Sequence, residues 1–158
     1  MSPEEEIGKL LRERGLTLGT VESATGGLIA HLITNVPGSS DYYRGSIIAY
    51  SNEAKTKVAG VRAATITKFG TVSPQVAGEM AAGGSRVLAA SICVADTGIA
   101  GPTGATPDKP VGLFYIGLCH RGETRTRKFT FTGTREQNKQ AAARAALDWV
   151  REYLLSLK

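Results

Sequence analysis

Three apolar runs in this chain each end in a cluster of glycines and small polar residues. Leu16 to Glu22 runs into Ser23-Ala24-Thr25-Gly26-Gly27, and a helical pattern of Leu28, Ile29, Leu32 and Ile33 follows. Arg44 to Tyr50 runs into Ser51-Asn52-Glu53-Ala54-Lys55, where Ser51 reads as the cap of a short helix through Val58. Ser91 to Ala95 runs into Asp96-Thr97-Gly98-Ile99-Ala100-Gly101-Pro102. Strand, tight turn, helix is the pattern of a sheet whose early strands are parallel and whose polar turns gather at one end. Ligands of such sheets bind beyond the carboxyl ends of the strands.

The rest of the chain fits that frame. Ser2-Pro3-Glu4-Glu5 is a capping box with proline at the first helical position, and Gly15 closes the helix. Pro37-Gly38-Ser39-Ser40 is turn chemistry, and a short helical stretch precedes Gly70. Ser73-Pro74 opens a helix that contains Gly83-Gly84, where either a break or a close contact is expected. Val111 to Cys119 and Thr124 to Thr132 read as two strands joined at His120-Arg121-Gly122-Glu123. A last helix from about Thr134 to Leu157 buries Ala142, Ala146, Trp149, Val150, Tyr153 and Leu157. The expected architecture is one domain over residues 1–158, a three-layer α/β/α sandwich with a mixed, mostly parallel sheet of about five strands.

Several function classes recede. Nothing reads as a membrane span or a signal peptide, so the expected location is cytoplasmic and no membrane partner is expected. Cys93 and Cys119 lie inside apolar runs and have no CxxC partner, which argues for buried thiols and against a zinc site. The net charge is +5, and Arg121, Arg125, Arg127 and Lys128 cluster. Without stacking aromatics or a docking helix, that charge fits a small anion or a solvated strand better than nucleic acid.

The chemistry concentrates in the three turns. Ser23 at a strand-to-helix turn is either a nucleophile beside backbone donors or, with Thr25, a simple helix cap. The stretch is neither a Walker A loop nor a Gly-x-Ser-x-Gly elbow. His31 and His120 are the only histidines, and neither is placed by sequence to serve Ser23. Lysine can act as the base when burial lowers its pKa. Lys55 is the candidate and Lys57 its rival, with Tyr50 able to relay a proton. Thr97-Gly98-Ile99-Ala100-Gly101 offers backbone donors. Arg135, opening the last helix, is either an anion clamp or a surface residue.

These stretches, with Pro37-Gly38-Ser39-Ser40, Gly70-Thr71-Val72-Ser73, Lys109-Pro110-Val111-Gly112 and Phe131-x-Gly133-x-Arg135, run in one order across nearly the whole chain. In that order the chain resembles the CinA C-terminal domain family, whose stand-alone members are nicotinamide-nucleotide amidohydrolases. The resemblance implies hydrolysis of nicotinamide mononucleotide to nicotinate mononucleotide and ammonia. It implies Ser23 as nucleophile, Lys55 as base, Tyr50 assisting, and no metal or cofactor. Thr25, Gly26, Gly27, Thr97, Gly98, Ile99, Ala100 and Arg135 would face the nucleotide, Arg135 most simply its phosphate. It also implies a homodimer or higher homo-oligomer. Two positions depart from the family pattern: Ala24 stands where cysteine is usual, and Asp96 where a small or apolar residue is usual. An Asp96 aimed into the pocket would disfavour an anionic substrate. Both departures leave room for a different reading, a non-catalytic nucleotide-binding or protein-interaction module that keeps the pocket.

Overall fold

The computed structural model describes residues 1–158. Its helices are α1 (Pro3–Arg14), α2 (Leu28–Thr34), α3 (Asn52–Lys57), α4 (Ala63–Phe69), α5 (Pro74–Val87) and α6 (Arg135–Ser156). Its strands are β1 (Leu18–Glu22), β2 (Tyr43–Ile48), β3 (Ile92–Gly98), β4 (Leu113–His120) and β5 (Glu123–Thr130).

Local chemistry sets most of the boundaries. Ser2 and Glu5 form the reciprocal capping box of α1, and Gly15 ends that helix in the left-handed conformation. Ser51 and Ser73 cap α3 and α5 through their hydroxyls, and Thr134 with Gln137 makes a second capping box on α6. Arg121 and Gly122, both at positive φ, make the two-residue β4–β5 turn that matches the natural twist of a hairpin. His120 therefore belongs to β4 rather than to the turn; it is buried, with Nδ1 2.6 Å from the Tyr153 hydroxyl.

The five-stranded sheet has the order β2-β1-β3-β4-β5. β1 pairs in parallel with β2 and β3, whereas β3–β4 and β4–β5 are antiparallel. On one face, α1, α2 and α6 bury Ile7, Leu11, Ile29, Leu147 and Val150 against Leu18, Ile92, Val94, Ile116 and Leu118. On the other, α5 lays Val76, Met80 and Ala81 on Val21, Ile47, Cys93, Ala95 and Cys119. The architecture is the expected three-layer sandwich. Leu157 is only half-buried; Leu147 and Leu154 complete the stripe of α6 instead. Cys93 and Cys119 are buried free thiols that face each other across β3 and β4. No helix is long and apolar enough to cross a membrane.

α5 passes through Gly83-Gly84 without a break, and the glycines serve close contact. A Cβ on Gly83 would lie 1.7 Å from the Ala59 carbonyl oxygen, and one on Gly84 2.3 Å from Val21 Cγ2. Gly83→Ala is therefore expected to lower stability by about 3 kcal/mol through overpacking, read from the urea midpoint. Gly78 is the contrast on the same helix. Its Cβ would meet Thr124 and Thr126 at an ordinary 3.7 Å, so Gly78→Ala is expected to raise the midpoint, by up to about 1 kcal/mol.

Candidate active site

The order β2-β1-β3 sends successive crossovers to opposite sides of β1, which opens a crevice at the carboxyl ends of β1 and β3. Side chains alternate along both strands. Leu18, Thr20 and Glu22 share a face with Ile92, Val94 and Asp96, because Leu18 pairs with Ile92 and Thr20 with Val94. One more step of that register brings Glu22 beside Asp96. Both carboxyl groups are fully buried.

They build the Ser23 turn from beneath. Glu22 accepts the α2 amides of Ile29 (2.8 Å) and Ala30 (3.0 Å), the Gly27 amide, and the hydroxyls of Thr25 and Ser46. Asp96 accepts the backbone amides of Ser23 (3.1 Å) and Thr25 (3.2 Å), and its Oδ1 lies 2.5 Å from the Thr25 hydroxyl oxygen. Gly26 and Gly27, at φ +61° and +106°, supply the left-handed backbone that this tight return requires. Burial is the largest influence on Asp96 and pushes its pKa up to about 6.

Two expectations change here. Neither Ser23 nor Thr25 caps α2, because the carboxylate of Glu22 already holds the amides that a cap would take. The Ser23 hydroxyl is left free of the helix and lines a cavity. Asp96, in turn, does not point into that cavity. It lies under the turn with its oxygens engaged by the Ser23 and Thr25 amides and the Thr25 hydroxyl.

The cavity has a volume of about 280 Å³ and is lined by Ser23, Ala24, Tyr50, Lys55, Thr97 to Ala100 and Arg135, with Asn52, Thr71 and Thr103. Lys55 projects from α3 and is 2% exposed. It forms no ion pair; Nζ donates only to the Tyr50 carbonyl oxygen at 3.3 Å. Burial lowers its pKa below the ordinary lysine value, and the charge of Asp96 opposes that shift. Its rival Lys57 is paired with Glu53 on the exposed face of the same helix. The Tyr50 hydroxyl accepts a hydrogen bond from Arg135 Nη2 at 3.0 Å rather than meeting Ser23. Arg135 Nη1 donates to the Gly101 carbonyl at 2.8 Å, so its guanidinium ties the end of β2 to the loop after β3.

That loop is fixed by a residue that sequence reading passed over. Asn138 of α6 is 1% exposed, and its amide donates to the Ala100 and Gly133 carbonyls. The amides of Ala24 and Ala100 carry no hydrogen bond within the chain, and both residues line the cavity. Thr25, Gly26 and Gly27 do not line it. The Thr25 and Gly27 amides are held by Asp96 and Glu22, and the Gly26 amide by the Ser23 carbonyl. Glu22 was legible only as the end of a strand. Its spacing to the start of α2 was the one local hint that it could reach those amides. A wider groove of about 640 Å³ between α2 and α6 holds His31 and Arg144, but none of its lining residues is buried. No group of three or more His, Cys, Asp or Glu residues is gathered closely enough to hold a metal ion.

The fold recurs in known proteins. A model of the CinA C-terminal domain matches residues 1–154. The CinA-like protein of Kosmotoga olearia is 51% identical over 156 residues, which cover 99% of this chain and 38% of that relative. The chain thus spans well under half the length of the curated relatives it matches. Among solved structures, competence damage-inducible protein A from Klebsiella pneumoniae has a TM-score of 0.95 at 32% identity, covering 99% of this chain and 97% of that one. Competence/damage inducible protein CihA from Agrobacterium tumefaciens has a TM-score of 0.90 at 36% identity, covering 99% and 100%.

Proposed function

We propose that this chain, which belongs to the CinA C-terminal domain family, is an amidohydrolase that converts nicotinamide mononucleotide to nicotinate mononucleotide and ammonia. One observation carries the reading above the rest. Lys55 is buried without an acidic partner in the same small cavity as an unengaged serine hydroxyl. A lysine held that way is biased toward the neutral amine that a general base must be.

In the proposed reaction Lys55 Nζ takes the Ser23 proton as Oγ attacks the carboxamide carbon. The amides of Ala24 and Ala100, two free donors in the cavity lining, would hold the oxyanion. Lys55 returns the proton to the leaving nitrogen, ammonia departs, and an acyl-serine remains. Water, deprotonated by the same lysine, hydrolyses that ester to the carboxylate. The scheme uses no metal and no cofactor. A guanidinium has five N–H donors, and Arg135 spends one on Gly101 and one on Tyr50. The remaining donors suit an anionic group such as the nucleotide phosphate. Tyr50 then acts through Arg135, at the rim of the cavity.

The test is ammonia release from nicotinamide mononucleotide, with free nicotinamide and NAD as comparators and chromatography to identify nicotinate mononucleotide. Turnover of the mononucleotide above both comparators is the expected result. A rise in melting temperature with the mononucleotide but no ammonia would instead support a non-catalytic binding module. The absence of both ammonia release and stabilisation would overturn the reading.

A further inference from the structure

We infer that Asp96 is a positioning residue for this reaction: its enclosed carboxylate clamps the Ser23–Thr25 backbone from beneath so that the serine hydroxyl is held toward the cavity, and its charge acts on Lys55. The inference rests on the amidohydrolase reading for the identity of the reaction, but not for its test.

The geometry is specific to the turn. Asp96 is 0% exposed, and both of its oxygens are taken by the nucleophile segment: Oδ1 by the Ser23 amide at 3.1 Å, Oδ2 by the Thr25 amide at 3.2 Å. A carboxylate that accepts alternate amides of one turn fixes the orientation of the residue between and beside them. The Thr25 hydroxyl lies within reach of both Asp96 Oδ1 and Glu22 Oε1. A hydroxyl has one proton to donate, so it can satisfy only one carboxylate at a time, and a proton on Asp96 would satisfy the other contact. The turn under the nucleophile therefore has two charge states.

Lys55 feels the difference. The charge of Glu22 on β1 raises the pKa of Asp96, and the charge of Asp96 raises that of Lys55 on α3 against the larger effect of burial. From α6, Lys139 lies beside the outer side of the turn at Thr25 to Gly27, and Arg135 is engaged by Gly101 and Tyr50. From α2, His31 is exposed. An ionised Asp96 favours the ammonium form of Lys55, so removing that charge makes the neutral base available at lower pH.

The experiment measures covalent labelling of Ser23 by a fluorophosphonate. In that step the Oγ–P bond forms, the P–F bond breaks, fluoride leaves, and the serine proton passes to Lys55. Labelling is located by peptide mass spectrometry and followed as a rate against pH, which needs no natural substrate. Asp96→Asn keeps the shape and one acceptor but not the charge. It is expected to slow labelling at the plateau about tenfold, and to move the rising limb of the pH profile to lower pH. Asp96→Ala is expected to slow it about 100-fold, the scale of a small misplacement of a reacting group. Both changes in Asp96→Asn are required. A wild-type rate overturns the inference, and so does a slower rate with an unmoved limb, which would reduce Asp96 to a structural brace. Absence of labelling at Ser23 in the wild type overturns it too. A wild type that labels at Ser23 yet releases no ammonia overturns the amidase reading alone. A second measurement needs no variant: the Ser23 and Thr25 amide resonances should titrate together with a midpoint near 6. Loss of that joint titration in Asp96→Asn is the expected control, and a titration that survives the substitution would overturn the inference.

Discussion

Ser23→Ala is expected to lower ammonia release from nicotinamide mononucleotide by at least about 1,000-fold, because it removes the attacking oxygen of the proposed acyl transfer. Of the other cavity threonines, Thr97 has its hydroxyl committed to the Thr71 carbonyl at 2.8 Å, whereas the Thr71 hydroxyl is unpaired, so residual turnover in Ser23→Ala would point to Thr71. The melting temperature should barely move, since the Ser23 hydroxyl makes no internal hydrogen bond while its amide stays on Asp96. Lys55→Met should be nearly as damaging to activity, by about 100- to 10,000-fold, the usual scale of a lost general base. Its effect on stability should have the opposite sign. Methionine fills the same space without a buried charge, so this variant is expected to melt above the wild type. Activity lost with stability gained separates a lysine kept for chemistry from one kept for structure. A Lys55→Met protein that is both active and less stable would contradict the assignment.

The second large effect is structural and belongs to Glu22. Glu22→Ala would strand the Gly27, Ile29 and Ala30 amides and the Ser46 hydroxyl around a buried void, while the Thr25 hydroxyl keeps Asp96. The expected loss is about 4 kcal/mol, a large share of the stability of an ordinary domain. Glu22→Gln keeps one acceptor oxygen and the volume, and should cost about half as much. Urea unfolding measures both. If Glu22→Ala unfolds at the wild-type midpoint, the carboxylate is not what holds the start of α2, and the capping role returns to Ser23 or Thr25.

What the sequence made visible was local, and what it hid was long-range. The caps at Ser2, Ser51, Ser73 and Thr134 act within three residues of themselves, so their meaning is written where they stand. The glycine pair in α5 was readable as an oddity but not as a contact, because the answer lies on Ala59, Val21 and Cys93. Ser23 and Lys55 were legible as candidates by residue type and by their place after strands. That they share one cavity depends on how β1, β2 and β3 line up. Tyr50 was read as a partner of the serine, yet its exposed ring reaches Arg135, 85 positions further on. Asp96 looked like a liability for an anionic substrate. Only the register of β1 against β3 shows it facing the underside of the turn.

That register also sets a timetable. The carboxylate that holds Ser23 is supplied by a residue 73 positions later, and the asparagine that holds the Ala100 loop comes a further stretch beyond it. While the chain is being made, the serine is in place long before anything orients it. Contacts this distant in sequence form late, after the cost of closing a large loop has been met. A nascent or partly folded chain thus carries an ordinary serine, and reactivity arrives only with the finished sheet. Recovery of fluorophosphonate labelling during refolding should follow the slowest step of assembly rather than the return of helix.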